Sequence, residues 1–172
     1  MMEIHPSENT PRMTIKVGDK IPSAKLMQAT ADGPQEITTD ALFGGKTVVL
    51  IGVPGAFTPT CSAKHLPGFT QHADQFKAKG VDTIACMAVN DVFVMGAWGK
   101  DQGTTDKVTM LADGSAAFTK AMGLEFDLTA RGLGVRSQRF VLVAKDGQVT
   151  HVAVEAPGAF EVSNAETVLA AL

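Results

Sequence analysis

The stretch "TVVLIGVPGAFTPTC", residues 47–61, joins a strand pattern to a helix start and leaves a cysteine at the junction. "TVVLIGV" is apolar almost throughout, the pattern of a central strand covered on both faces. Pro54 ends that run. Thr58 and Pro59 then open a helix, a hydroxyl that can cap followed by a proline at the first helical position. With Thr58 as the N-cap, Cys61 falls in the first helical turn. Unpaired backbone N–H groups and the positive end of the helix dipole favour an anion there. A thiolate is such an anion, and helix N-termini lower thiol pKa values. Cys61 therefore reads as a reactive cysteine rather than a packing one.

Apolar runs and amphipathic segments alternate on from this junction. "PTCSAKHLPGFTQHADQFKAKG" predicts a helix that ends at Gly80 and kinks at Pro67. "VDTIACMAVN" predicts a second strand, and "DVFVMGAWGKD" a short helix opened by Asn90 or Asp91. "KVTMLAD" is a third strand and "SAAFTKAMG" a helix stopped by Gly123. "RFVLVAKDGQVTHVAVE" gives two strands about Asp146-Gly147, an Asp-Gly hairpin signal. "SNAETVLAAL" closes as a helix, opened by a capping box from Ser163 to Glu166. This order predicts a three-layer α/β/α sandwich around a central mixed sheet, and a thioredoxin-like arrangement shares it.

A chain of 172 residues, 45% hydrophobic and 19% charged, suits one globular domain. That domain is expected over 13–172, after a flexible tail at 1–12. A net charge of −3 without a basic patch argues against nucleic acid as a partner. "MMEIHPSENTPRM" has no apolar centre and does not read as a signal peptide. No apolar run is long enough for a membrane span. The expected setting is the cytoplasm. There, the two cysteines, Cys61 and Cys86, are expected to be reduced and catalytic, metal-binding or buried. No C-x-x-C pair is present, which removes a thioredoxin-type dithiol and the simplest zinc knuckle.

"PGAFTPTCSAKHLPGF", followed in order by "VNDVFVMGAWGK", "LADGSAAFTKAMG" and "GVRSQRFVLV", resembles the type II, or peroxiredoxin-five-like, peroxiredoxins of plants and bacteria. The resemblance runs from about Ile15 to the C-terminus. It rests most specifically on Pro54, Thr58 and Cys61 in a P-x-x-x-T-x-x-C element with an arginine on a later strand. It implies a thiol peroxidase for hydrogen peroxide and small alkyl hydroperoxides, with no cofactor and no metal. Cys61 is then the nucleophile, and Thr58 and Arg139 orient the peroxide. Pro54 shapes the pocket, and Arg136 has at most a supporting place.

The chemistry accounts for those residue types. A thiolate attacks one peroxide oxygen, expels hydroxide or alkoxide, and becomes a sulfenic acid. The sulfur must be ionised, the peroxide held in line, and the charge on the leaving oxygen met by fixed donors.

His65, four residues after Cys61 on the same helix, raises rival readings. A Cys–His pair suits acyl transfer or half a zinc site, but no further ligands or oxyanion loop can be identified. A polar residue bonding locally is the simpler expectation. Cys86, inside "TIACMAV", reads as a small core hydrophobe. A disulfide to Cys61 needs α-carbons within roughly 7 Å. Relatives that resolve internally can use a C-terminal cysteine, and "VEAPGAFEVSNAE" has none. A one-cysteine cycle is therefore expected, and the resemblance implies glutathione, with glutaredoxin, as the reductant. A Cys61–Cys86 disulfide reduced by thioredoxin is the alternative, and a peroxide sensor passing oxidation to a partner is a non-enzymatic one. Phe57, Phe93 and Trp98 are apolar residues that either complete the core or, as the resemblance implies, border a homodimer interface.

Overall fold

The run Thr47–Val53 forms strand β3, buried at every position after Thr47. The computed structural model describes residues 14–172, so the tail expected at 1–12 lies outside the described residues. Around β3 lie β1 (Lys25–Thr30), β2 (Gly33–Thr38), β4 (Thr83–Ala88), β5 (Thr109–Ala112), β8 (Phe140–Lys145) and β9 (Gln148–Val154). They make one seven-stranded sheet in the order β2-β1-β5-β4-β3-β8-β9. The β3–β4 and β4–β5 pairs are parallel, whereas β8 runs antiparallel to β3. A separate hairpin pairs β6 (Glu125–Leu128) with β7 (Gly134–Ser137).

The alternation of side chains along β3 builds the layers. Val49, Ile51 and Val53 face one core with Phe69, Phe76, Met95, Trp98 and Val168. Val48 and Leu50 face the other with Phe43, Phe118 and Met122. The helices are α1 (Thr39–Phe43), α2 (Leu66–Gln71), α3 (Ala73–Ala78), α4 (Val92–Gln102), α5 (Ala117–Ala121) and α6 (Ala165–Ala171). Helices on both faces of a mixed sheet make this a thioredoxin-like α/β fold.

Asp91 caps α4 by accepting from the Val94 N–H at 2.8 Å, and Gly103 closes it in the left-handed region at φ 66°. Asp146 (φ 49°) and Gly147 (φ 76°) make the expected hairpin turn, in which both central residues have positive φ.

Three expectations need correction. The helix after Pro59 is not continuous to Gly80. Cys61–His65 is a π turn in which the Leu66 N–H reaches back to the Cys61 carbonyl, and a second break falls at His72. Pro67 has no N–H to continue the regular ladder, so the helix changes pitch just ahead of it. The capping box is also absent. Asn164 caps α6 by accepting from the Thr167 N–H at 2.8 Å, while Ser163 turns inward to a different partner. Finally, β1, β2, β6 and β7 went unread. β2 is an edge strand with mostly exposed side chains, so it shows no apolar face from which to infer it.

Candidate active site

Parallel β3 and β4 end at the same edge of the sheet, and their loops meet there, where ligands gather in open α/β sheets. The Ala56 N–H donates to Asn90 Oδ1 at 2.9 Å, tying the loop after β3 to the loop after β4. Half-buried Pro54 directly follows β3. Phe57 has φ 65°, a left-handed conformation that costs a bulky residue about 1–2 kcal/mol. Its ring lies 6.4 Å from that of buried Trp98. Thr58 stands just before the helix as expected, but among the described residues its hydroxyl accepts from no helical N–H, so the expected side-chain cap is not formed. Its hydroxyl donates to the Gly55 carbonyl at 2.7 Å, and its own carbonyl accepts the Ser62 N–H at 2.9 Å.

Cys61 is buried, and Arg139 reaches it. The Arg139 Nη2 donates to Cys61 Sγ at 3.0 Å. The sheet register explains this meeting of residues far apart in the chain. Gly52 pairs with Phe140 across β3 and β8, which places Arg139 at the carboxyl edge of β3, beside the cysteine loop. Arg139 forms no ion pair with a carboxylate among the described residues. Its charge is thus available to an anionic sulfur or peroxide oxygen. Arg136 lies close by in a secondary place: its Nε donates to the Leu133 carbonyl at 2.8 Å, and its Nη1 stands over Gly55, 3.2 Å from where a Cβ there would sit.

His65 departs from the local role expected of it. It is fully buried, with the rings of Phe69 and Phe160 at 5.7 and 5.1 Å. The Arg139 Nη1 lies 3.0 Å from His65 Nδ1, and His65 Nε2 lies 3.1 Å from the Ser163 carbonyl. An arginine can only donate, so Nδ1 accepts and the ring proton sits on Nε2, directed at Ser163. Burial, and then the neighbouring Arg139 charge, lower the imidazole to about 3, so the ring is neutral. Both nitrogens are occupied away from the sulfur. This is the geometry of an arginine orienter, unlike a base for Cys61 or a metal ligand.

Cys86 lies on β4, paired with Ile51 on one side and Met110 on the other, and faces the same core as Cys61. Burial pushes its thiol well above the ordinary range and Cys61 adds to that, with Arg139 opposing. Both cysteines are free thiols.

Of the residues predicted from sequence, the structure brings Cys61 and Arg139 into contact and sets Pro54 and Thr58 in the adjoining loop. Sequence reasoning missed Glu155 and Ser163 and misassigned the bonds of His65. In the sequence Ser163 reads as a helix cap, and Glu155 gives no signal beyond a charge at a strand end.

Residues 16–169 match the Redoxin family. The chain is 50% identical over 159 residues to "Peroxiredoxin-2C" of Oryza sativa subsp. japonica, a match covering 92% of this chain and 98% of the relative. Its fold superposes on reduced Prx3 from Vibrio vulnificus, solved in complex with hydrogen peroxide, with TM-score 0.88 and 55% identity over 92% of this chain and 99% of that one. A more distant likeness, TM-score 0.84 and 31% identity over 90% and 96% of the two chains, is to the Plasmodium falciparum antioxidant protein, a 1-Cys peroxiredoxin.

Proposed function

Since this chain belongs to the peroxiredoxin family and is a thiol peroxidase, we propose that Cys61 is its peroxidatic nucleophile, with Arg139, Thr58 and Pro54 forming the peroxide pocket. The carrying observation is the 3.0 Å bond from Arg139 Nη2 to Cys61 Sγ. The thiolate sulfur bonds to one peroxide oxygen as the O–O bond breaks. The electron pair leaves with the second oxygen, which takes up a proton to become water or an alcohol. The sulfur is left as a sulfenic acid. Arg139 presents fixed charge to the anions on both sides of that step, at little cost in reorganisation. Hydrogen peroxide and small alkyl hydroperoxides suit a pocket of this kind, and the Vibrio vulnificus relative was solved with the former.

The reading continues with a one-cysteine cycle. An external thiol condenses with the sulfenic acid, releasing water, and a second thiol frees Cys61 as an external disulfide forms. Glutathione, with glutaredoxin, is the proposed reductant, in a cytoplasmic setting. Burial of Cys86 between two strands, and its raised thiol pKa, support this by making it a poor resolving nucleophile. One observation favours the alternative of a Cys61–Cys86 disulfide reduced by thioredoxin: the two cysteines belong to the same core. The enzyme is further proposed to work as a homodimer, joined near exposed Phe57 and Phe93.

The test is peptide mass spectrometry after one equivalent of hydrogen peroxide, with a sulfenic-acid trap present. Trap adduct on Cys61, and loss of peroxide consumption in Cys61→Ser, are expected. A Cys61–Cys86 disulfide outcompeting the trap would shift the assignment to the two-cysteine cycle. Consumption at the original rate by Cys61→Ser would overturn the nucleophile.

A further inference from the structure

Glu155 stands just past β9 and is only 5% exposed, where an unpaired carboxylate would be costly. Phe140 pairs with Val154, so Glu155 lies beside Arg139, and its own N–H donates to the Arg139 carbonyl at 2.9 Å. Its side chain gathers donors from one short loop. The Glu161 N–H reaches both carboxylate oxygens at 2.9 Å, and the Val162 and Ser163 N–H groups reach one of them at 2.8 Å. The Ser163 hydroxyl adds a bond at 2.7 Å. Burial alone would push this carboxyl up; the hydrogen bonds outweigh it and hold it below the ordinary range.

The loop gathered in this way contacts the active site twice. Phe160 covers the edge of His65, and the Ser163 carbonyl accepts the proton on His65 Nε2. Each link leads to the next: the carboxylate holds the N–H and hydroxyl of Ser163, the Ser163 carbonyl holds the His65 ring, and the ring holds one edge of Arg139 while the other meets Cys61. We propose that Glu155 is a positioning residue for peroxide reduction, holding His65 in the tautomer that aims Arg139 at the Cys61 sulfur through the Ser163 carbonyl. This rests on the peroxidatic assignment of Cys61.

A loop clip with no part in the reaction would act independently of His65, and that difference is measurable. The chain has one tryptophan, and the Nε1 of Trp98 donates to the hydroxyl of Ser62, next to Cys61, at 3.0 Å. Stopped-flow fluorescence therefore has a reporter beside the site for oxidation by hydrogen peroxide. Glu155→Gln keeps the shape but replaces an acceptor oxygen with a donor. Its second-order rate should fall on the order of 10-fold, as expected when a catalytic group is displaced by a fraction of an ångström. His65→Ala should lose a similar factor, and the double variant no more than the worse single. Losses that multiply, or an unchanged rate in Glu155→Gln, would overturn the proposal. If Glu155→Gln does not fold, Ser163→Ala serves instead, removing one donor while keeping the carbonyl. Its smaller loss should vanish in the His65→Ala background, and persistence there would equally overturn it. A parent protein whose Cys61 does not react with peroxide would overturn the peroxidatic assignment, a result distinct from either.

Discussion

His65 carries a pH dependence whose sign follows from its surroundings. Burial and Arg139 lower it from 6.5 to about 3. Between those values the unfolded chain binds a proton that the folded one refuses. This contribution to stability is therefore complete above about 6.5 and declines as pH falls towards 3. From pH 7 to 5, mostly above the carboxylate range, the loss should be about 2 kcal/mol. Urea midpoints at the two pH values should differ less in His65→Asn than in the parent protein. Equal differences would show that another group governs the acid limb. The sequence offered only the spacing of His65 from Cys61, which cannot distinguish a base from an orienter. That distinction rests on what meets each ring nitrogen, and both partners come from distant parts of the chain.

At the scale of elements, the close approach of β3 and β8 explains a glycine within an otherwise bulky strand. A Cβ on Gly52 would stand 1.9 Å from Phe140 Cε1, inside a packed ring. Gly52→Ala should cost about 1–3 kcal/mol by overpacking, read as a lower urea midpoint. Because Phe140 adjoins Arg139, the variant should also react more slowly with peroxide. Unchanged stability would show that the ring can move aside. The glycine was visible in "TVVLIGV" but not its reason, which depends on the ring facing it. The same limit applies to the helix after Thr58. Its start was legible from Thr58 and Pro59, although the expected hydroxyl cap does not form, whereas the π turn at Cys61–His65 depends on Pro67 and on the core that Cys61 and Leu66 enter.

For the whole molecule, the apolar surface bears on assembly. Phe93 is 73% exposed and Phe57 52%, while Trp98 beneath Phe57 is buried. In the proposed homodimer these two rings lose water, and burying one such side chain is worth about 1.5–3 kcal/mol. Phe93→Asp should therefore weaken dimerisation at least several-fold in sedimentation velocity. A parent protein that stays monomeric at all accessible concentrations would remove the dimer from the reading. The alternation of strands and helices was legible because each central strand is a continuous apolar run. Edge strand β2 was not, since an exposed strand needs no such run, and β1 beside it is only half-buried and carries no continuous apolar run either.

The sequence by itself determined the local features: a buried strand at Thr47–Val53, a helix opening after Thr58, a cysteine in its first turn, and a tight turn at Asp146-Gly147. Each follows from nearest-neighbour physics, whether apolar runs, proline geometry or positive φ. Only the tertiary structure decided what surrounds that cysteine. Arg139 meets Cys61 across 78 residues through the register of β3 and β8, and His65 meets Ser163 across 98 through the loop gathered on Glu155. The neutral state of His65 and the raised thiol of Cys86 follow from burial, which no local pattern encodes. Glu155 belongs with them, because a buried carboxylate acquires its partners only when the loop folds around it.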